Sequence, residues 1–155
     1  MRKKLLLGAL IGLLVLTGWC FHKRLFGDDE KRIREIITQM EKAAENKNTQ
    51  GIIEHFSSDY SDSGGHNKFI ILQMMKRFID SLDDIRIDVK DLDVLVAGDR
   101  AYATMKVTSQ ATKRGRVISP FGSDNDPETP RVTFERTSTG DWKIIKVENV
   151  DSPSF

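Results

Sequence analysis

The period of the apolar residues changes once along this chain, near Asp84, and that change restricts the folds open to it. Before it, Ile33, Ile36, Ile37, Met40, Ala43 and Ala44 recur at spacings of three and four. After it, Ile85, Ile87 and Val89 alternate with Arg86, Asp88 and Lys90, and Ala101, Ala103, Met105 and Val107 alternate with Tyr102, Thr104, Lys106 and Thr108. A 3.6-residue period buries one stripe of a helix and a two-residue period one face of a strand, so no single element satisfies both. Helices gathered first and strands second predict an α+β domain whose helices cover one face of a mainly antiparallel sheet, not an alternating α/β chain.

Asp28 or Asp29 is a suitable cap for the first helix, which Asn46, Lys47 and Asn48 end. A short second helix is expected behind Thr49, with Ile52, Ile53 and Phe56 on its buried side. The turn-forming run from Ser57 to Gly65 separates it from a third helix over about 67–82. That third helix carries Phe69, Ile70, Leu72, Met74, Met75, Phe78 and Ile79, apolar around much of its circumference, and should be the most buried. Ala97 to Arg100 turns the chain between the first two strands. The stretch from Gly115 to Pro130, with Pro120, Gly122 and Pro127 inside it, is a long excursion. Two closing strands, 131–136 and 142–150, join through a turn at Thr137 to Asp141.

Ahead of this domain, Leu5 to Phe21 runs without a charged side chain between Arg2, Lys3, Lys4 and the pair Lys23, Arg24. Seventeen residues rise about 25 Å as a helix, the lower end of what spans a bilayer core. Cleavage of a signal peptide is the competing reading, but Thr17-Gly18-Trp19 is a poor junction. Acylation at Cys20 is disfavoured by the bulk of Trp19 just before it. The expectation is one transmembrane helix or signal-anchor over 1–24, a linker over 25–30, a single domain over 31–150 and a tail over 151–155. The stronger basic flank places the N-terminus inside, which puts the domain outside the cytoplasmic membrane of a bacterium.

The net charge of +1 conceals an asymmetry, because five of the twenty-four basic residues precede Phe26 and the first acidic residue is Asp28. From Asp28 onward nineteen basic side chains face twenty-three acidic ones, a balance of −4. A mildly acidic domain with dispersed charge is not a nucleic-acid binder. Cys20 is the only cysteine, so no disulfide framework is available and stability rests on a packed core.

Four stretches stand in a familiar order: Ala43-Ala44-Glu45-Asn46-Lys47, the run Ile53 to Asp62, Ala97-Gly98-Asp99-Arg100-Ala101, and Gly140-Asp141-Trp142-Lys143-Ile144-Ile145. With them the chain from about 28 to 149 resembles the nuclear transport factor 2-like superfamily, which includes polyketide-cyclase-like and ketosteroid-isomerase-like proteins. The resemblance implies a cone-like domain, three helices on a curved sheet, whose open end can hold a small molecule and whose sheet face often mediates homodimers. The fold hosts enzymes and inert binding modules alike, so function has to come from the site.

Asp59, Tyr60 and Asp62 are the nearest acidic-aromatic cluster, where a carboxylate beside a phenol can carry a proton; turn capping is the plainer role for such residues. His55 and His66 lack companions at ligand spacing, and Asp124 to Glu128 lacks the glycine of a calcium loop, so neither a metal nor another cofactor is expected. Met74, Phe78, Met105, Phe134 and Trp142 are candidates to line an adaptable apolar pocket. The leading expectation is a membrane-tethered, non-catalytic domain binding a small apolar ligand or a protein partner. The alternative is an isomerase, cyclase or hydrolase that uses the cone interior.

Overall fold

A computed structural model describes residues 28–62 and 64–150, so the expected anchor over 1–24 and the tail over 151–155 lie outside the described residues. Among these, no helix is long and apolar enough to cross a membrane. The described residues form three helices, α1 (28–45), α2 (Thr49–Ile53) and α3 (Lys68–Asp80). Five strands follow: β1 (Asp84–Ala97), β2 (Arg100–Lys113), β3 (Arg116–Ile118), β4 (Arg131–Arg136) and β5 (Trp142–Glu148). The sheet runs β1-β2-β4-β5, antiparallel throughout, with β3 paired to the far end of β2.

Asp28 and Asp29 lie inside α1, not ahead of it. Asp29, with 5% exposure, is instead a buried acceptor: Trp142 Nε1 donates to its Oδ1 at 3.1 Å and Arg136 Nη2 to its Oδ2. The expected cap of α2 also moves by one residue. Asn48 takes the position, its side chain accepting from Gly51 N, because Lys47 (φ 56°) turns the chain in the left-handed region just before it.

β1 and β2 are joined by the tight turn Gly98-Asp99, with Gly98 at φ 64°. Pairing along β1 shifts register between Lys90 and Asp93, where Asp91 takes φ 51°, and β4–β5 shifts again between Thr133 and Phe134. Such bulges add local twist and bend a sheet. One face of it carries Ala101, Ala103, Met105, Val132, Phe134 and Ile144, all buried, and meets Ile33 and Ile37 of α1 and Phe78 and Ile79 of α3 in the core.

α3 is not the most buried helix. Only Phe78 and Ile79 are buried, while Phe69 is 66% and Ile70 39% exposed. Its apolar circumference is explained by Ile71, Met74 and Met75 lining an open space, with Ile71 and Met75 packed against the core while only partly buried. The excursion also proves structured. β3 pairs Val117 with Thr112 and Ile118 with Ala111, and the chain then returns along β2 through paired hydrogen bonds between Val107 and Glu128 at 2.8 and 3.0 Å.

Candidate functional site

Between the helices and the sheet lies a cavity of about 270 Å³. Its wall draws on every layer: Ile37, Met40 and Ala44 of α1, Met75 and Phe78 of α3, Ile87 and Val89 of β1, Met105 of β2, Phe134 of β4 and Val147 of β5. Apart from Glu41 and Glu128 every lining residue is apolar. Burial, with Glu45 and Asp88 adding repulsion, holds the Glu41 carboxyl above the usual carboxylate range against the opposing Lys42 and a hydrogen bond from the Val89 backbone.

The returning excursion completes the wall. Phe121 packs edge-on against Phe78, centroids 5.6 Å apart, and is pinned by Ser109, whose Oγ accepts from Phe121 N at 2.7 Å and donates to Phe121 O at 3.2 Å. Gly122 is required beside it: φ is 65°, and a Cβ there would stand 2.5 Å from Glu128 N and 2.7 Å from Val107 O.

A second space of about 420 Å³ adjoins the first, sharing Phe56, Met75, Phe78, Phe121, Val147 and Val150 as walls, and it is polar on one side. That side is the loop between α2 and α3. It is tied to β5 by Ser57 N donating to Ile144 O at 2.8 Å and Ser61 N to Ile145 O at 3.1 Å. The tie delivers Tyr60, Asp62 and His66 to the cavity.

Asp62 organises the loop. Its Oδ1 accepts from Gly64 N at 2.9 Å and His66 N at 2.8 Å, and its Oδ2 lies 2.9 Å from His66 Nδ1. Burial raises the Asp62 carboxyl, but these bonds and the imidazole outweigh it and hold the group below the usual range. Tyr60, 4% exposed, rests edge-on against Phe56 at 4.9 Å. Burial first, and Asp62 second, push its phenol up to about 12.

The candidate residues separate in space. Tyr60 and Asp62 line the cavity together, whereas Asp59 is exposed and outside it. Phe78, Met105 and Phe134 line the apolar space and Met74 the adjoining one. Trp142 lines neither: its indole belongs to Asp29, with the Arg136 guanidinium 4.6 Å above its ring. His66, Glu41 and Phe121 escaped the sequence reading as site residues. The available signal for His66 was its place four residues after Asp62 across two glycines. Among the described residues no group of three or more His, Cys, Asp or Glu side chains is placed to hold a metal ion.

No family model and no curated protein matches the chain. Solved structures do. A nuclear transport factor 2-like protein with a cystatin-like fold from Novosphingobium aromaticivorans superposes with a TM-score of 0.68 at 24% identity, covering 86% of this chain and 88% of the other. A protein of the same family from Streptomyces avermitilis, described as a proposed dehydratase, gives 0.65 at 17%, covering 83% and 98%. A superfamily protein from Salmonella enterica serovar Typhimurium gives 0.68 at 13%, covering 84% and 94%. The fold is therefore nuclear transport factor 2-like, also described as cystatin-like.

Proposed function

We propose that this protein is a membrane-tethered binding module that holds a small apolar ligand in its cone, on the outer side of the cytoplasmic membrane. The observation that carries the ligand is the 270 Å³ space with apolar walls. Leaving such apolar walls facing water is unfavourable by about 25 cal/mol per Å² of surface that a ligand could cover. A bound apolar molecule removes that cost. The tether rests on Leu5 to Phe21 and its basic flanks. A homodimer through the sheet belongs to the same proposal, since Leu95 of β1 stands 63% exposed opposite Tyr102.

Native mass spectrometry of the chain released from mild detergent is expected to show one small molecule bound per protein. Uniformly bare protein that also fails to bind any solvatochromic apolar probe saturably contradicts the reading. Fractionation with external protease tests the tether: the domain should stay with the membrane and be cut from outside.

A second reading, an isomerase, cyclase or hydrolase, is favoured by the Asp62–His66 pair beside that space. Asp62 itself, held ionised, is a poor proton donor; the carrier in this reading is His66. The dehydratase proposal for the Streptomyces protein is consistent with it. Turnover of a cavity ligand that stops in His66→Gln would establish this reading, and ligand recovered unchanged would remove it.

A further inference from the structure

We propose that the Asp62–His66 pair is a selectivity device that makes the cavity prefer apolar molecules bearing a hydroxyl, an alcohol or a phenol, over apolar carboxylates. The inference rests on the cavity reading and adds the chemistry of its polar end.

An ionised carboxylate is an acceptor only. Asp62 Oδ1 is already occupied by two backbone N–H groups, and Oδ2 stands 2.9 Å from His66 Nδ1. The proton in that contact must therefore sit on Nδ1, so in the neutral form of the ring the lone pair is on Nε2. Among the described residues no hydrogen-bond donor is directed at Nε2. The ring is also held from its side: a Cβ on Gly64 would stand 2.7 Å from His66 Cε1 and 2.9 Å from Nδ1, so the glycine backbone lies against that edge. The result is an acceptor of fixed tautomer and fixed orientation on the wall of the polar space.

The charges around it decide which head group it takes. Asp62 and Glu148 line the same space, and the Tyr60 phenol there stays neutral. The cations beside it are engaged: Lys68 Nζ donates to Phe56 O at 2.6 Å and Lys146 Nζ to Glu148 Oε1 at 2.6 Å. A ligand carboxylate would meet the Asp62 carboxylate and a lone pair, whereas a hydroxyl donates to Nε2 at no such cost. The apolar walls shared with the inner cavity receive the rest of the molecule.

The test uses three ligands of one shape, naphthalene, naphthol and naphthoate, titrated near neutral pH into the full chain in phospholipid nanodiscs, with empty nanodiscs subtracted. Naphthol is expected to bind about three- to tenfold tighter than naphthalene, the worth of one hydrogen bond, and naphthoate weakest of the three. His66→Phe should erase the advantage of naphthol over naphthalene. NMR of the imidazole nitrogens should find the His66 proton on Nδ1. Naphthol no tighter than naphthalene, naphthoate as tight as naphthol, or a proton on Nε2 overturns the proposal, and the first two leave the cavity reading standing. Binding of none of the three overturns the cavity reading and this inference with it.

Discussion

At the scale of single residues, Gly64 and Asp29 each fix the side chains around them. Gly64 tolerates no side chain without moving His66, since the nearest ring atom is 2.7 Å from a built Cβ. Gly64→Ala is expected to leave the fold intact but to abolish selection for the hydroxyl; an unchanged naphthol-to-naphthalene ratio would contradict it. Asp29 is the buried carboxylate that satisfies both the Trp142 indole and the Arg136 guanidinium. Asp29→Ala should cost about 2–4 kcal/mol in chemical denaturation, because the buried Trp142 N–H and the partly buried Arg136 guanidinium lose their acceptor. A loss below about 1 kcal/mol would show that water replaces it. Residues of this kind are where sequence reading falls short. Trp142 reads as an apolar lining residue because its neighbours in sequence do, yet its N–H needs a partner, and Asp29 is 113 positions away. Asp62 stands in the acidic-aromatic cluster and His66 reads only as a histidine without companions at ligand spacing, so the sequence alone does not join the two. Asp-x-Gly-Gly-His looks the same whether the carboxylate caps a turn or orients an imidazole, and here it does both.

At the scale of elements, period and turn chemistry made most of the fold legible. The switch near Asp84, the hairpins at Gly98 and Gly140 and the order of helices then strands all stand in the structure. What period leaves open is whether an apolar face meets a packed core or an open space. Ile71, Met74 and Met75 give the same helical signal in either case, so α3 reads as deeply buried when it walls a cavity. The excursion after β2 was opaque for another reason. Its prolines and glycines signal loop, whereas its order comes from long-range hydrogen bonds to Val107 and Ser109 that no local pattern encodes. Gly122 is the point on which that order turns. Gly122→Ala combines a left-handed backbone with a clash against backbone atoms, and is expected to lower stability by about 2–4 kcal/mol and loosen Phe121 from the cavity. Unchanged stability in urea, with unchanged ligand affinity, would rule out a structural role for the return.

At the scale of the whole molecule, titration and binding report on the folded domain. Burial, helped by Lys143 and opposed by Glu54, lowers the His55 pKa from its ordinary 6.5. The unfolded chain therefore takes a proton there that the folded one refuses, and stability is full above 6.5 and falls as acid is added below it. Asp62, whose folded pKa lies below its ordinary 3.8, adds a second loss as pH falls through that region. Glu41 acts oppositely just above 4.5, since its folded form holds a proton more readily than the unfolded one. Thermal unfolding against pH should thus show a first decline beginning near 6.5 that disappears in His55→Gln. A decline that persists in that variant would place its origin elsewhere.

The claim that the cone is a ligand site is tested most directly by filling it. Val147 borders both spaces and is only partly buried, so a larger side chain can enter from the rim. Calorimetric titration with naphthalene should give one site per chain and a negative heat-capacity change. Val147→Trp should weaken binding by at least about tenfold while the protein stays folded. Equal naphthalene affinity in the wild type and in a folded Val147→Trp variant would contradict the account.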